Sequence, residues 1–165
     1  MSLYYGIPLL MLASILQSVW VEGLRVLGGR PDLALLLVVA WAVIRGADEG
    51  ALWGFVAGVF CDLLSGSSFG LWTVMLTGVG LLAGQPWVQA LGPTLVRLAL
   101  MSGLGTVLAH LGLTTMMSLL GYPLNVGRAL TAVAAPAALL NVLLSPFAFT
   151  FLVWVHRRLP RRGAG

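Results

Sequence analysis

The residues of this sequence that could carry acid–base, nucleophilic or metal chemistry are few and widely spaced. The 165-residue chain has five acidic residues, two histidines and one cysteine. The sequence contains no zinc-type Cys/His spacing, no glycine-rich phosphate loop and no local pairing of a serine with a base. It therefore predicts a chain with no catalytic residue, no cofactor and no metal ion.

His110 is the one ionisable side chain in the middle of a long apolar run. A histidine inside a membrane span is a candidate for proton transfer or ligand binding. Its neighbours Ala109, Leu111 and Gly112 include no acid that could pair with it. A hydrogen bond within a helix bundle is the simpler interpretation, and the sequence leaves both open.

A glycine stands at every fourth position in the first part of GADEGALWGFVAGVFCDLLSG, at Gly46, Gly50, Gly54 and Gly58. Each glycine costs about 0.8–1 kcal/mol relative to alanine in a helix in water. Residues four apart share a helix face, and in lipid a face without side chains lets another backbone pack closely. We expect this row either to pack inside its own bundle or to dock a helix of another protein.

Asp62 occupies the next position of the same row, four residues after Gly58 and near the end of the run. An unpaired carboxylate at that depth would be costly. Arg30, Asp32 and Arg128 fall on the same predicted side of the membrane and form a candidate polar network with it. The interpretations are a structural ion pair, a cap for the turn at Leu63–Ser65, or a contact with a partner or ligand.

The composition is that of an integral membrane protein. Hydrophobic residues make up 59% of the chain and charged residues 8%, whereas an ordinary soluble domain is about 25% charged. The nine basic residues are all arginines. Most stand singly at the ends of apolar runs, which is a topology signal rather than a nucleic-acid footprint. Lipid is therefore an expected partner and nucleic acid is not.

Apolar runs separated by polar turns predict an all-α protein with a single transmembrane domain of six helices. The predicted helices cover about 3–21, 32–45, 48–64, 71–84, 94–120 and 129–155, and an Arg-rich tail follows over 156–165. The first run lacks the basic start and cleavage site of a signal peptide, so we read it as a retained helix.

The arginines also predict an orientation. An even number of helices places both termini on one side of the membrane. Six arginines then share the side of the tail: Arg45, Arg97, Arg157, Arg158, Arg161 and Arg162. Three lie opposite. By the positive-inside rule both termini are cytoplasmic, and the four arginines of the tail form a cytoplasmic anchor.

Two stretches together resemble the MreD family of rod shape-determining membrane proteins. RPDLALLLVVAWAVIRG has a Pro-Asp-Leu helix start and ends in Arg-Gly, and GALWGFVAGVFCDLLSGSSFGLW has a glycine-rich helix, Asp-Leu-Leu-Ser-Gly and then Phe-Gly-Leu. With the apolar helix that follows, the specific part of the resemblance covers about residues 30–84.

The resemblance implies a non-catalytic protein of the bacterial inner membrane that controls cell shape through lateral wall synthesis. Its implied partners are MreC, then RodA with its class B penicillin-binding protein, and MreB indirectly. The sequence leaves open whether two copies form a homodimer. At fold level the family is similar to the six-helix substrate-binding subunits of energy-coupling-factor transporters. The alternative function is therefore that of a vitamin-binding transporter subunit.

Overall fold

The computed structural model describes residues 2–19, 29–65, 70–122 and 126–158. The regular elements of these residues are all helices: α1 (Ser2–Val19), α2 (Leu33–Arg45), α3 (Ala47–Ser65), α4 (Leu71–Ala83), α5 (Pro86–Gln89), α6 (Thr94–Leu119), α7 (Val126–Ala129), a π-helix (Leu130–Ala134) and α8 (Ala135–Arg158). A helix lies at each of the six predicted positions. The short α5 and α7 are additional, and the last predicted helix is divided among α7, the π-helix and α8.

Helix α2 is the centre of the structure. Every residue from Ala34 to Val43 is buried, and α2 contacts α1, α3, α4, α6 and α8. Its sequence is apolar on all sides, which is the pattern of a helix surrounded by protein. Near its end the Trp41 ring stacks on that of Trp53 in α3, with ring centroids 4.3 Å apart. The other helices are thus arranged around α2 and add their own buried side chains to its core.

The turn between α2 and α3 depends on Gly46. Its φ of 99° is in the left-handed region that glycine adopts without strain, and this conformation ends α2. A Cβ added to Gly46 would meet nothing within 4 Å, so Gly46 is not part of the close packing that the glycine row predicts. Arg45 binds Glu49 across the turn at 2.8 Å, and Trp41 Nε1 donates to the same carboxylate at 3.0 Å.

The other three glycines of the row face α4 directly. A Cβ on Gly50 would lie 2.5 Å from the Gly80 carbonyl oxygen, one on Gly54 would overlap the backbone of Leu76, and one on Gly58 would overlap that of Thr73. The row therefore brings two backbones of the same chain together. Helix α4 covers this face of α3, and this structure leaves no space there for a helix of another protein.

The longest helices lie in the second half of the chain. The continuous helical stretches Thr94–Leu119 and Gly127–Val155 are long and apolar enough to cross a membrane, and three shorter helices are also apolar. The π-helix comes just before Pro136, which has no N–H to donate to the carbonyl four residues earlier. A proline in this position explains the local widening of the helix.

The packing of α3 on α4 gives the first prediction. Gly54→Ala should destabilise the protein by roughly 1–3 kcal/mol, because the added methyl meets backbone that cannot move aside. Gly78→Ala is the matched control, since Gly78 lies inside α4 with nothing within 4 Å of an added Cβ. It should be neutral or stabilise by up to about 1 kcal/mol through helix propensity. Thermal unfolding in detergent measures both, and equal effects of the two substitutions would contradict the packing.

Candidate functional site

The first turn of α2 is held by side chains from outside that helix. Asp32 caps it, because its Oδ1 accepts the Leu35 N–H at 3.0 Å. Gln17 of α1 accepts the Ala34 N–H at 3.1 Å. The Asp32 N–H in turn donates to Asn141 Oδ1 of α8 at 2.9 Å. Backbone donors that no helical carbonyl can reach are thus satisfied by α1 and α8.

Asn141 continues this network into α6. Its Nδ2 donates to Thr106 Oγ1 at 2.8 Å, and the Thr106 hydroxyl donates to the Ser102 carbonyl at 2.7 Å. Asn141 and Thr106 are fully buried, so these bonds replace those that water would make. Two buried atoms of the group, Asp32 Oδ2 and Ser102 Oγ, have no hydrogen-bond partner among the described residues.

His110 lies one turn beyond Thr106 on α6. Its Nδ1 is 3.0 Å from the Thr106 carbonyl oxygen, and Trp72 of α4 meets its ring edge-on with centroids 6.4 Å apart. A carbonyl only accepts, so Nδ1 carries the hydrogen and Nε2 is the acceptor in the neutral ring. This is a hydrogen bond within the bundle.

Asp62 caps α4 from the neighbouring helix. Its carboxylate accepts the N–H of Trp72 at 2.9 Å, the N–H of Thr73 at 3.0 Å and the Thr73 hydroxyl at 2.6 Å. A charged acceptor on several donors of a helix start makes strong hydrogen bonds. Asp62 stands one step beyond Gly58 in the same row, which explains why its side chain meets α4 and not the turn at Leu63–Ser65.

The predicted network of Asp62, Arg30, Asp32 and Arg128 is thus divided. The two carboxylates belong to separate hydrogen-bonded groups, one on α4 and one on α2. Arg30 is exposed, and its charge influences Asp32. Arg128 is exposed in α7. Of the predicted cytoplasmic anchor, Arg157 is exposed at the end of α8; the Arg158 side chain and residues Arg161 and Arg162 lie outside the described part.

An apolar groove lies between α1 and α8, with α2 at its floor. Its volume is about 320 Å³ and its lining is aliphatic and aromatic, including Leu12, Leu16, Leu36, Phe147 and Phe151. Phe147 is 73% exposed and Leu12 is 56% exposed. We refer to this feature as the α1–α8 groove; it is concave, apolar and open to the surroundings of the bundle.

Three residues of this network were not predicted from the sequence: Asn141, Thr106 and Gln17. A usable signal was present for Asn141, because an amide side chain inside the apolar run AALLNVLLSP is costly unless it bonds to another helix. No comparable signal marks Gln17, which stands near the end of its run. No group of three or more His, Cys, Asp or Glu side chains in the described segments is placed to hold a metal ion.

Comparison with known proteins gives one match. A family model described as rod shape-determining protein MreD matches residues 2–155, which is nearly the whole chain. Neither the search of curated proteins nor the search of solved structures found a significant match.

The cap of α4 gives a prediction. Asp62→Ala should destabilise the protein by about 2 kcal/mol or more, because two N–H groups and a hydroxyl lose their acceptor. Asp62→Asn keeps one oxygen acceptor and should lie between alanine and the wild type. Asp48→Ala removes an exposed carboxylate from the other end of α3 and should change little. Thermal unfolding in detergent measures the stability of the three variants. An Asp62→Ala protein as stable as Asp48→Ala would contradict the cap.

Proposed function

Since the chain belongs to the MreD family of rod shape-determining proteins, we propose that it is a non-catalytic membrane subunit of the bacterial cell-wall elongation machinery. Its task in this proposal is to bind MreC and so help to position or regulate peptidoglycan synthesis. The observation that carries the proposal is the family match over residues 2–155. The described polar side chains fit this role, because they mostly bond to the helices around them.

We propose the inner membrane as its location, with both termini in the cytoplasm. The family is a membrane family, and the chain has two helices long enough to span a bilayer. The orientation is supported by the arginine distribution of the sequence and by the exposed Arg157 at the end of α8. In this orientation Asp32 and Asp62 lie toward the periplasm, and the turn at Gly46 faces the cytoplasm.

The α1–α8 groove is the face that we propose for the MreC anchor helix. The other candidate face was the glycine row, and its members Gly50, Gly54 and Gly58 are covered by α4. Helices in lipid associate through close van der Waals packing, and a concave apolar surface offers more of it than a flat one. Phe147 and Leu12 on the two walls of the groove are the exposed side chains that a docked helix would cover.

Co-purification in detergent tests both the partner and the face. MreC should be recovered with the wild-type chain, and Phe147→Ala and Leu12→Ala should each reduce the recovery roughly tenfold if they are anchor contacts. Leu100→Ala in α6 and Val74→Ala in α4 are the matched controls, since both side chains are about half exposed outside the groove. Undiminished recovery with both groove variants would exclude the groove; no MreC with the wild type would contradict the partner.

The wider role is tested in cells. In the proposal, contacts with RodA and its penicillin-binding protein follow from MreC, and MreB is reached indirectly. Depletion should then convert rods to rounded cells without a vitamin requirement. A growth defect cured by one vitamin at high dose would instead support the alternative of a transporter subunit similar to energy-coupling-factor proteins.

A further inference from the structure

Among the described acidic residues, Asp32 is the one that is buried and has a carboxyl oxygen without a hydrogen-bond partner. The side chain is 3% exposed. Its Oδ1 accepts the Leu35 N–H, whereas Oδ2 has no hydrogen-bond partner. Asp62 is equally buried but uses both oxygens on three donors. The two carboxyls therefore differ in whether the second oxygen has a hydrogen-bond donor.

The groups that face Asp32 do not neutralise it by direct contact at Oδ2. The Gln17 side chain of α1 is close enough to interact favourably with the carboxyl, but no donor of the described residues reaches Oδ2 with hydrogen-bond distance and angle. The charged or titratable neighbours are Arg30 in the preceding segment, His110 from α6 and the Cys61 thiol from α3. The neighbour from α8 is Asn141, which is uncharged and accepts the Asp32 backbone N–H. An ionised Oδ2 at this junction would be a charge without a matching donor.

We propose that Asp32 is a buried proton-binding site: in the folded protein its carboxyl is neutral at neutral pH and holds its proton on Oδ2. The occupant is small because the surroundings are closed, with Asn141 and Thr106 fully buried. An unpaired carboxyl in such a place takes up a proton, since an isolated charge in an apolar interior is far more costly. The neutral carboxyl still caps α2, because Oδ1 remains an acceptor.

A row of polar side chains on α6 begins at Thr106, which bonds Asn141, and runs toward the end of that helix. The Thr106 hydroxyl, His110 and the Thr114 hydroxyl each bond the carbonyl four residues earlier, from Ser102 onward. Burial decreases along the row, since Thr106 is fully buried whereas His110 and Thr114 are partly exposed. In the described chain, the row joins Asp32 only through Asn141, which bonds the Asp32 N–H and not its carboxyl.

The site makes the folding of this protein depend on pH in a defined direction. The folded protein holds a proton that the Asp32 of an unfolded chain has released above about pH 4. The folded state therefore binds more protons than the unfolded state, and stability falls as the pH rises. An ionised Asp32 that stabilised its surroundings would give the opposite slope. The sign of the slope thus separates the two states of the carboxyl.

Asp32→Asn tests this directly, because asparagine copies the neutral carboxyl in shape and keeps an acceptor for the cap. Between about pH 5 and about pH 8 the apparent Tm of the wild type should fall by about 5–10 °C or more relative to that of Asp32→Asn, the shift expected for a hundredfold or larger change in the folding equilibrium. At the higher pH the variant should be at least as stable as the wild type. A variant that is less stable than the wild type at that pH would overturn the proposal.

Two further measurements keep the test decisive if Asp32→Asn fails to fold. Infrared spectroscopy of the wild type above neutral pH should show a protonated carboxyl band, which is easily seen because the chain has only five acidic residues. Absence of the band would overturn the proposal. Unfolding of the wild type at about pH 8 in sodium, potassium and choline chloride should be the same; stabilisation by sodium or potassium alone would show that a metal cation, and not a proton, occupies the site.

Discussion

A helix that begins inside a protein must have its first N–H groups satisfied where no water reaches. Helix α2 is in this position, since it is surrounded by five other helices and its start at Asp32 is buried. Asp32 and Gln17 satisfy the first turn, and Asn141 takes the Asp32 N–H. Because these side chains belong to different helices, the condition that α2 imposes also determines where α1 and α8 lie.

The first N–H groups of α4 are also satisfied by a side chain of a neighbouring helix, in this case Asp62 of α3. Gly50, Gly54 and Gly58 remove the side chains that would hold the two backbones apart. The approach is close enough for the short Asp62 side chain, one step further along the row, to reach the N–H groups at the start of α4. The glycines and the carboxylate are therefore parts of one arrangement: close packing along the row and a helix cap at its end.

The positions of the helices and the glycine face of α3 could be predicted from the sequence. The hydrogen-bond partners of Asp62 and Asp32 could not. Apolar runs and turn residues located α2, α3 and α4, and the period of four identified the face of α3 that carries Gly54. The partners of Asp62 were sought among arginines, whereas the structure supplies backbone N–H groups, which every residue has and composition cannot reveal. The bond between Asp32 and Asn141 joins residues 109 apart in the chain, and no local pattern encodes such a pairing.

The length of the central helices has a consequence for the lipid around the protein. Helices α2 and α4 have 13 residues each, which is about 20 Å at 1.5 Å per residue. The hydrocarbon layer of a typical bilayer is about 30 Å thick. In the proposed six-helix transmembrane arrangement, a bundle organised around helices this short would draw the two leaflets together at its side where α4 is exposed, at a cost that rises with each ångström of mismatch. Two proteins that both thin the bilayer share that cost when they meet. In that arrangement the short central helices would favour assembly through the lipid, before any side chains of the two proteins come into contact.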